Sequence, residues 1–92
     1  LELIHRAIRL LKRTKAKQCT NFKAMTWESI PVPPDHDDAC QWCVLGLLQK
    51  EFTPGEYTRL YTVIGWQTLV YWNDRDKLTF KEIAAKLEEQ YS

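Results

Sequence analysis

Between two stretches of helical periodicity the chain carries Pro31, Pro33 and Pro34, and nothing over residues 18–36 repeats at helical spacing. Proline lacks an amide proton and fixes φ, so this segment excludes a helix and ends any strand. Phe22, Met25, Trp27, Ile30 and Val32 are spaced irregularly, with room for a brief extended piece over 22–27. A loop near 20 residues is long for a small domain and is more often functional than filler. Its apolar residues predict that it packs down over a core.

The flanks read as helices. Leu3, Ile4, Ala7, Ile8, Leu10 and Leu11 follow one apolar stripe and predict a helix over roughly 2–16. Asp37 or Asp38 is placed to cap a second, since a carboxylate accepts from free amides and suits the helix dipole. Cys40, Cys43, Val44, Leu47 and Leu48 give it an inner face running to about Phe52. Thr53-Pro54-Gly55-Glu56 combines a cap, a proline at the first helical position and a capping box. The helix it starts runs to about Tyr71 and is apolar around most of its circumference, as a central helix would be. Asn73-Asp74-Arg75-Asp76 is turn chemistry. Thr79-Phe80-Lys81-Glu82 opens a last helix, whose stripe is Phe80, Ile83, Ala84 and Leu87 and which ends near Gln90. Gly46 and Gly65 sit mid-helix at a cost of about 1 kcal/mol each. The two central helices are expected to cross there. The expected fold class is mainly α: one compact four-helix domain over 1–92 with a long proline-containing loop over about 18–36.

Ninety-two residues with 45% hydrophobic content suit one small core and are too apolar for a wholly disordered chain. No apolar run reaches the ~20 residues that span a bilayer, so no membrane partner is expected. The odd count of Cys19, Cys40 and Cys43 argues against a disulfide framework and for a reducing, cytoplasmic setting. The net charge of +1 hides a local +6 over residues 1–25 and a local −5 over residues 26–56. These segments can attract an anion, pair within the chain, or pair across the two-fold axis of a homodimer.

Three constellations bear on function. Cys19, His36, Cys40 and Cys43 offer donors for tetrahedral zinc, although Cys43 falls in an apolar stripe and reads better as a small hydrophobe. Arg6, Arg9, Lys12, Arg13, Lys15 and Lys17 form a basic helix face, either a solvated surface or a phosphate contact. Trp72, Asn73 and Asp74 combine a stacking ring with polar recognition, or close a helix end. His5 and His36 have no evident nucleophile beside them, so catalysis is the least supported class.

Trp42-Cys43-Val44-Leu45-Gly46-Leu47, Tyr71-Trp72-Asn73-Asp74 and Thr79-Phe80-Lys81-Glu82-Ile83 together resemble an uncharacterised family, a domain of unknown function found in small bacterial and phage proteins. That family pairs a Cys-x-x-Gly-Ala helix with an Asn-Asp turn before a capped helix; Leu47 stands here where the family has Ala. The resemblance implies a compact, mostly helical protein of phages or mobile elements and supplies no catalytic residues or cofactor.

The leading expectation is a non-enzymatic binding module for a protein partner or a small anionic ligand, acting through Arg6, Arg9 and Arg13 with Trp27, Trp72, Asn73 and Asp74. Guanidinium groups would fork onto phosphate or carboxylate while a ring stacks. The alternatives are nucleic-acid binding by the first helix and a zinc-stabilised domain.

Overall fold

The computed structural model describes residues 2–91. It is mainly helical, with one hydrophobic core and a small three-stranded sheet. Helix α1 (Glu2–Arg13) buries Ile4, Ala7, Ile8 and Leu11, the stripe its spacing predicts. It stops three residues short of 16, and the chain turns into β1 (Lys17–Gln18).

The long loop is where expectation and structure part. Beyond β1 lie β2 (Ala24–Met25) and β3 (Gln41–Trp42), in the order β1-β3-β2. Strand β3 is central, parallel to β1 and antiparallel to β2. Asp37 and Asp38 therefore cap no helix. They belong to turns before β3, where Cys40 N–H donates to the Met25 carbonyl at 3.0 Å and Cys43 N–H to the Lys23 carbonyl at 3.1 Å. Pairing on both sides claims the backbone of 41–42, so the helical spacing from Cys40 to Cys43 is coincidental. The long segment does pack onto the core: Cys19, Ala24 and Pro34 are buried, and the Trp42 indole donates to the Pro34 carbonyl at 3.0 Å.

Helix α2 (Val44–Glu51) starts five or six residues later than expected, with Cys43 as its cap. The thiol accepts from Gly46 N–H at 3.4 Å. Gly46 is tightly packed, but against the loop rather than another helix. A Cβ there would lie 1.8 Å from the Lys23 carbonyl oxygen.

The expected helix over 53–71 is three pieces. Helix α3 (Pro54–Ile64) opens on the predicted capping box, with Thr53 N–H donating to Glu56 Oε1 at 3.1 Å and Glu56 N–H to Thr53 Oγ1 at 3.3 Å. Gly65, at φ +97°, breaks the chain away. Its position marks a bend, not a helix crossing. Helix α4 (Trp66–Val70) follows and widens into a π-helical turn over Tyr71–Arg75. Helix α5 (Phe80–Tyr91) begins at the second capping box, with bonds of 2.8 and 3.1 Å, and lies against α1. Among the described residues the four expected helices are thus five α-helices, with the π turn added to the fourth. No helix among the described residues is long and apolar enough to cross a membrane.

Candidate functional site

The residues expected to act together are dispersed. Arg6, Arg9 and Arg13 do share a shallow hollow on α1, floored by Leu10 and Phe52. Arg6 is committed: it pairs with Glu56 at 2.8 Å and lies 5.2 Å from the centre of the Phe52 ring. Arg9 approaches Glu2 at 4.0 Å, and Lys12 pairs with Glu88 at 2.6 Å. Trp27 is 79% exposed at the tip of the β2 loop.

Trp72 and Asn73 are both buried, the placement that the helix-end reading of this stretch expects. The wide π turn brings two successive side chains inward. Asn73 is 1% exposed and its amide is fully occupied. Its Oδ1 accepts from Val44 N–H at 3.0 Å and from Gln18 Nε2 at 2.8 Å. Its Nδ2 donates to the Cys19 carbonyl at 2.9 Å and to Asp74 Oδ1 at 2.7 Å. Gln18 carries the network on: Nε2 donates to the Leu78 carbonyl at 2.7 Å and Oε1 accepts from Phe80 N–H at 3.0 Å. Two side chains thereby satisfy the free first amides of α2 and α5, a need left at every helix start. Asn73 thus ties β1, α2 and the π turn to one another.

The zinc donors do not converge. Among the described residues no three His, Cys, Asp or Glu side chains come together as a metal site. All three cysteines are free thiols, and His36 Nδ1 accepts from Asp38 N–H at 3.0 Å. Burial pushes Cys19 up to about 11 and raises Cys43 as well, with the Asp74 charge adding to both. Neither is a thiolate near neutrality, so neither is a poised nucleophile.

Asp74, the last member of the predicted set, points to the pocket that sequence reasoning missed. A cavity of about 380 Å³ is walled by Phe22, Tyr57, Tyr61 and Trp66, with Leu45 and Val70. Asn21, Lys23, Cys43 and Asp74 supply its polar atoms. Its size is that of small-molecule sites, as is its mostly apolar lining with few polar groups.

The bend at Gly65 builds this wall. Tyr57 and Tyr61 are one turn apart on α3, and Trp66 and Val70 are one turn apart on α4. In a continuous helix Trp66 would be rotated about 140° from Tyr61, since each residue turns the helix by about 100°. The left-handed step brings the two pairs onto one cavity. Tyr57 and Tyr61 meet edge to face at 5.2 Å. Lys23 Nζ lies 5.8 Å from the Tyr57 ring centre and donates to Gln49 Oε1 at 3.1 Å. The floor is set by the contact of Gly46 with the Lys23 backbone, which holds the loop against α2. Asn21, at φ +74°, turns that loop; asparagine tolerates this conformation better than most residues. The aromatic spacing was visible in the sequence but fits a central helix equally well. Only the break at Gly65 separates the readings.

A second hollow, lined by Trp66, Val70, Tyr71 and Asp74, adjoins the pocket through three shared residues and extends the apolar surface. Trp66 is 51% exposed and Tyr71 45%. Comparison with protein-family models, with curated proteins and with solved structures found no match.

Proposed function

We propose that this chain is a non-enzymatic binding module whose ligand site is the aromatic pocket between α3, α4 and the 21–23 loop. The observation that carries the reading is the pocket itself: four aromatic walls around about 380 Å³, in a domain whose other large side chains mostly fill one core. Its ionisable groups favour binding over chemistry. The Cys43 thiol and the Tyr57 hydroxyl are both held above their ordinary values, chiefly by burial, and no histidine lines the cavity. Neither of these two groups is therefore a nucleophile or general base poised near neutrality.

Lys23 and Asp74 give the pocket one charge of each sign. That combination suits a flat, largely apolar ligand, uncharged or zwitterionic, better than a simple anion. An anionic group would instead meet Arg9 and Arg13 in the α1 hollow, a surface better suited to a protein partner. Nucleic-acid binding by α1 is less favoured, because Glu56 and Glu88 already neutralise Arg6 and Lys12. The zinc reading has no converging donors and is set aside.

A fragment screen read by thermal shift tests the proposal. Aromatic fragments are expected to stabilise the wild type and lose that effect in Trp66→Ala, a change at a half-exposed ring that leaves the core intact. Hits that stabilise Trp66→Ala as well as the wild type would place binding elsewhere.

A further inference from the structure

A second surface lies on the β2 loop, apart from the aromatic pocket. The β2 loop ends in a tight, well-tied turn. Ser29 N–H donates to the Thr26 carbonyl and Thr26 N–H to the Ile30 carbonyl, both at 2.9 Å. Ser29 takes φ +68°, Met25 bridges to Pro31, and Gln41 Nε2 braces the Thr26 carbonyl at 2.8 Å. This rigid turn holds Trp27 79% exposed and Ile30 54% exposed. Large apolar side chains held in water on ordered backbone lose little entropy on docking and are typical anchors of protein contacts.

The charges around the turn are of one sign. Between Lys23 and Lys50 the chain has Glu28, Asp35, Asp37 and Asp38 and no lysine or arginine. All four carboxylates are exposed. None takes part in an ion pair among the described residues, where the acids that pair are Glu2, Glu51, Glu56 and Glu88. Of the acidic segment only Glu51 and Glu56 are paired among the described residues, to Lys50 and Arg6, so Glu28, Asp35, Asp37 and Asp38 keep their charge for a partner. The matching surface lies on the same molecule: the hollow of about 410 Å³ between α1 and the end of α2, where Leu10 and Phe52 lie among Arg6, Arg9, Arg13 and Glu51. Arg6 and Glu51 are paired to Glu56 and Lys50, which leaves Arg9 and Arg13 as its available cations.

We infer that a second copy of this chain docks its Trp27 turn into the α1 hollow. Trp27 seats against Leu10 in that hollow, where Arg9 and Arg13 stack on the indole, the best aromatic partner for a guanidinium. Glu28 and the 35–38 carboxylates meet the basic face of α1. Made reciprocally, two such contacts close a two-fold dimer.

Sedimentation equilibrium over a range of protein and salt concentrations tests this. A mass above the monomer's is expected at low salt, falling towards monomer as salt screens the charges. Trp27→Ala weakens association roughly tenfold or more, with the fold checked by circular dichroism. Arg9→Glu with Arg13→Glu does the same, as does Glu28→Lys with Asp37→Lys and Asp38→Lys. Mixing the two charge-reversed proteins restores a heteromeric complex, which loss of folding would not allow. A wild type that stays monomeric at low salt up to its solubility limit overturns the inference. So does association that Trp27→Ala leaves unchanged.

Discussion

Asn73 shows how much a single buried amide can organise. Its carbonyl oxygen and amino group reach β1, α2 and the π turn at once, and through Gln18 the start of α5. A buried group left without its partner costs about 1–3 kcal/mol, and truncation here strands several. Asn73→Ala is expected to destabilise by about 3 kcal/mol or more in urea denaturation. Asn73→Asp should be no better, because a carboxylate cannot donate to the Cys19 carbonyl and would face Asp74. The thiols give a second test at this scale. Cys40 is partly exposed, whereas Cys19 and Cys43 are buried, so one thiol should react promptly with an aromatic disulfide reagent and two only on unfolding. The raised value of Cys19 also sets a pH dependence. Below its ordinary value of 9.0 the thiol is protonated in folded and unfolded chains alike. Above it, only the unfolded chain releases the proton easily. Stability is then lost as pH rises towards about 11, and thermal melts across that range should show it.

At the scale of elements, two glycines decide the architecture. Gly46→Ala removes the helix cost of glycine but drives a methyl group into the Lys23 carbonyl. Net destabilisation of about 1–3 kcal/mol is expected in denaturant melts. Gly65→Ala has room for its methyl group, with the nearest atom at 3.5 Å, but strains a backbone at φ +97°. It should cost about 1–3 kcal/mol and weaken ligand binding by misaligning Trp66 with Tyr61. Much of this level was legible in the sequence. The stripe of α1, both capping boxes and the Phe80, Ile83, Ala84 and Leu87 face of α5 stand where their spacing puts them. These are local signals, written within one or two helical turns. The sheet was not legible, because two-residue strands carry no periodicity and are made by partners far apart in sequence. The same reason hid the site: its walls come from α2, α3, α4 and the 21–23 loop. Asn73 was singled out as polar and flanked by turn chemistry, a pattern shared by ligand contacts and buried hubs.

The whole molecule presents three surfaces of different character: an aromatic pocket, a basic hollow on α1 and an acidic turn bearing Trp27. Their separation divides roles that the sequence placed in one constellation. The pocket is the concave, mostly apolar one and suits a small ligand; the other two are complementary to each other. The pocket is the surface whose occupancy decides the function. Its occupancy can be read by amide and indole chemical-shift mapping during titration with the best-stabilising fragment. The predicted result is a saturable set of shifts centred on Phe22, Tyr61, Trp66 and Val70, with the α1 resonances of Arg9 and Arg13 unmoved. Shifts centred on α1 and Trp27, with Trp66 unchanged, would contradict it and move recognition to the charged surfaces.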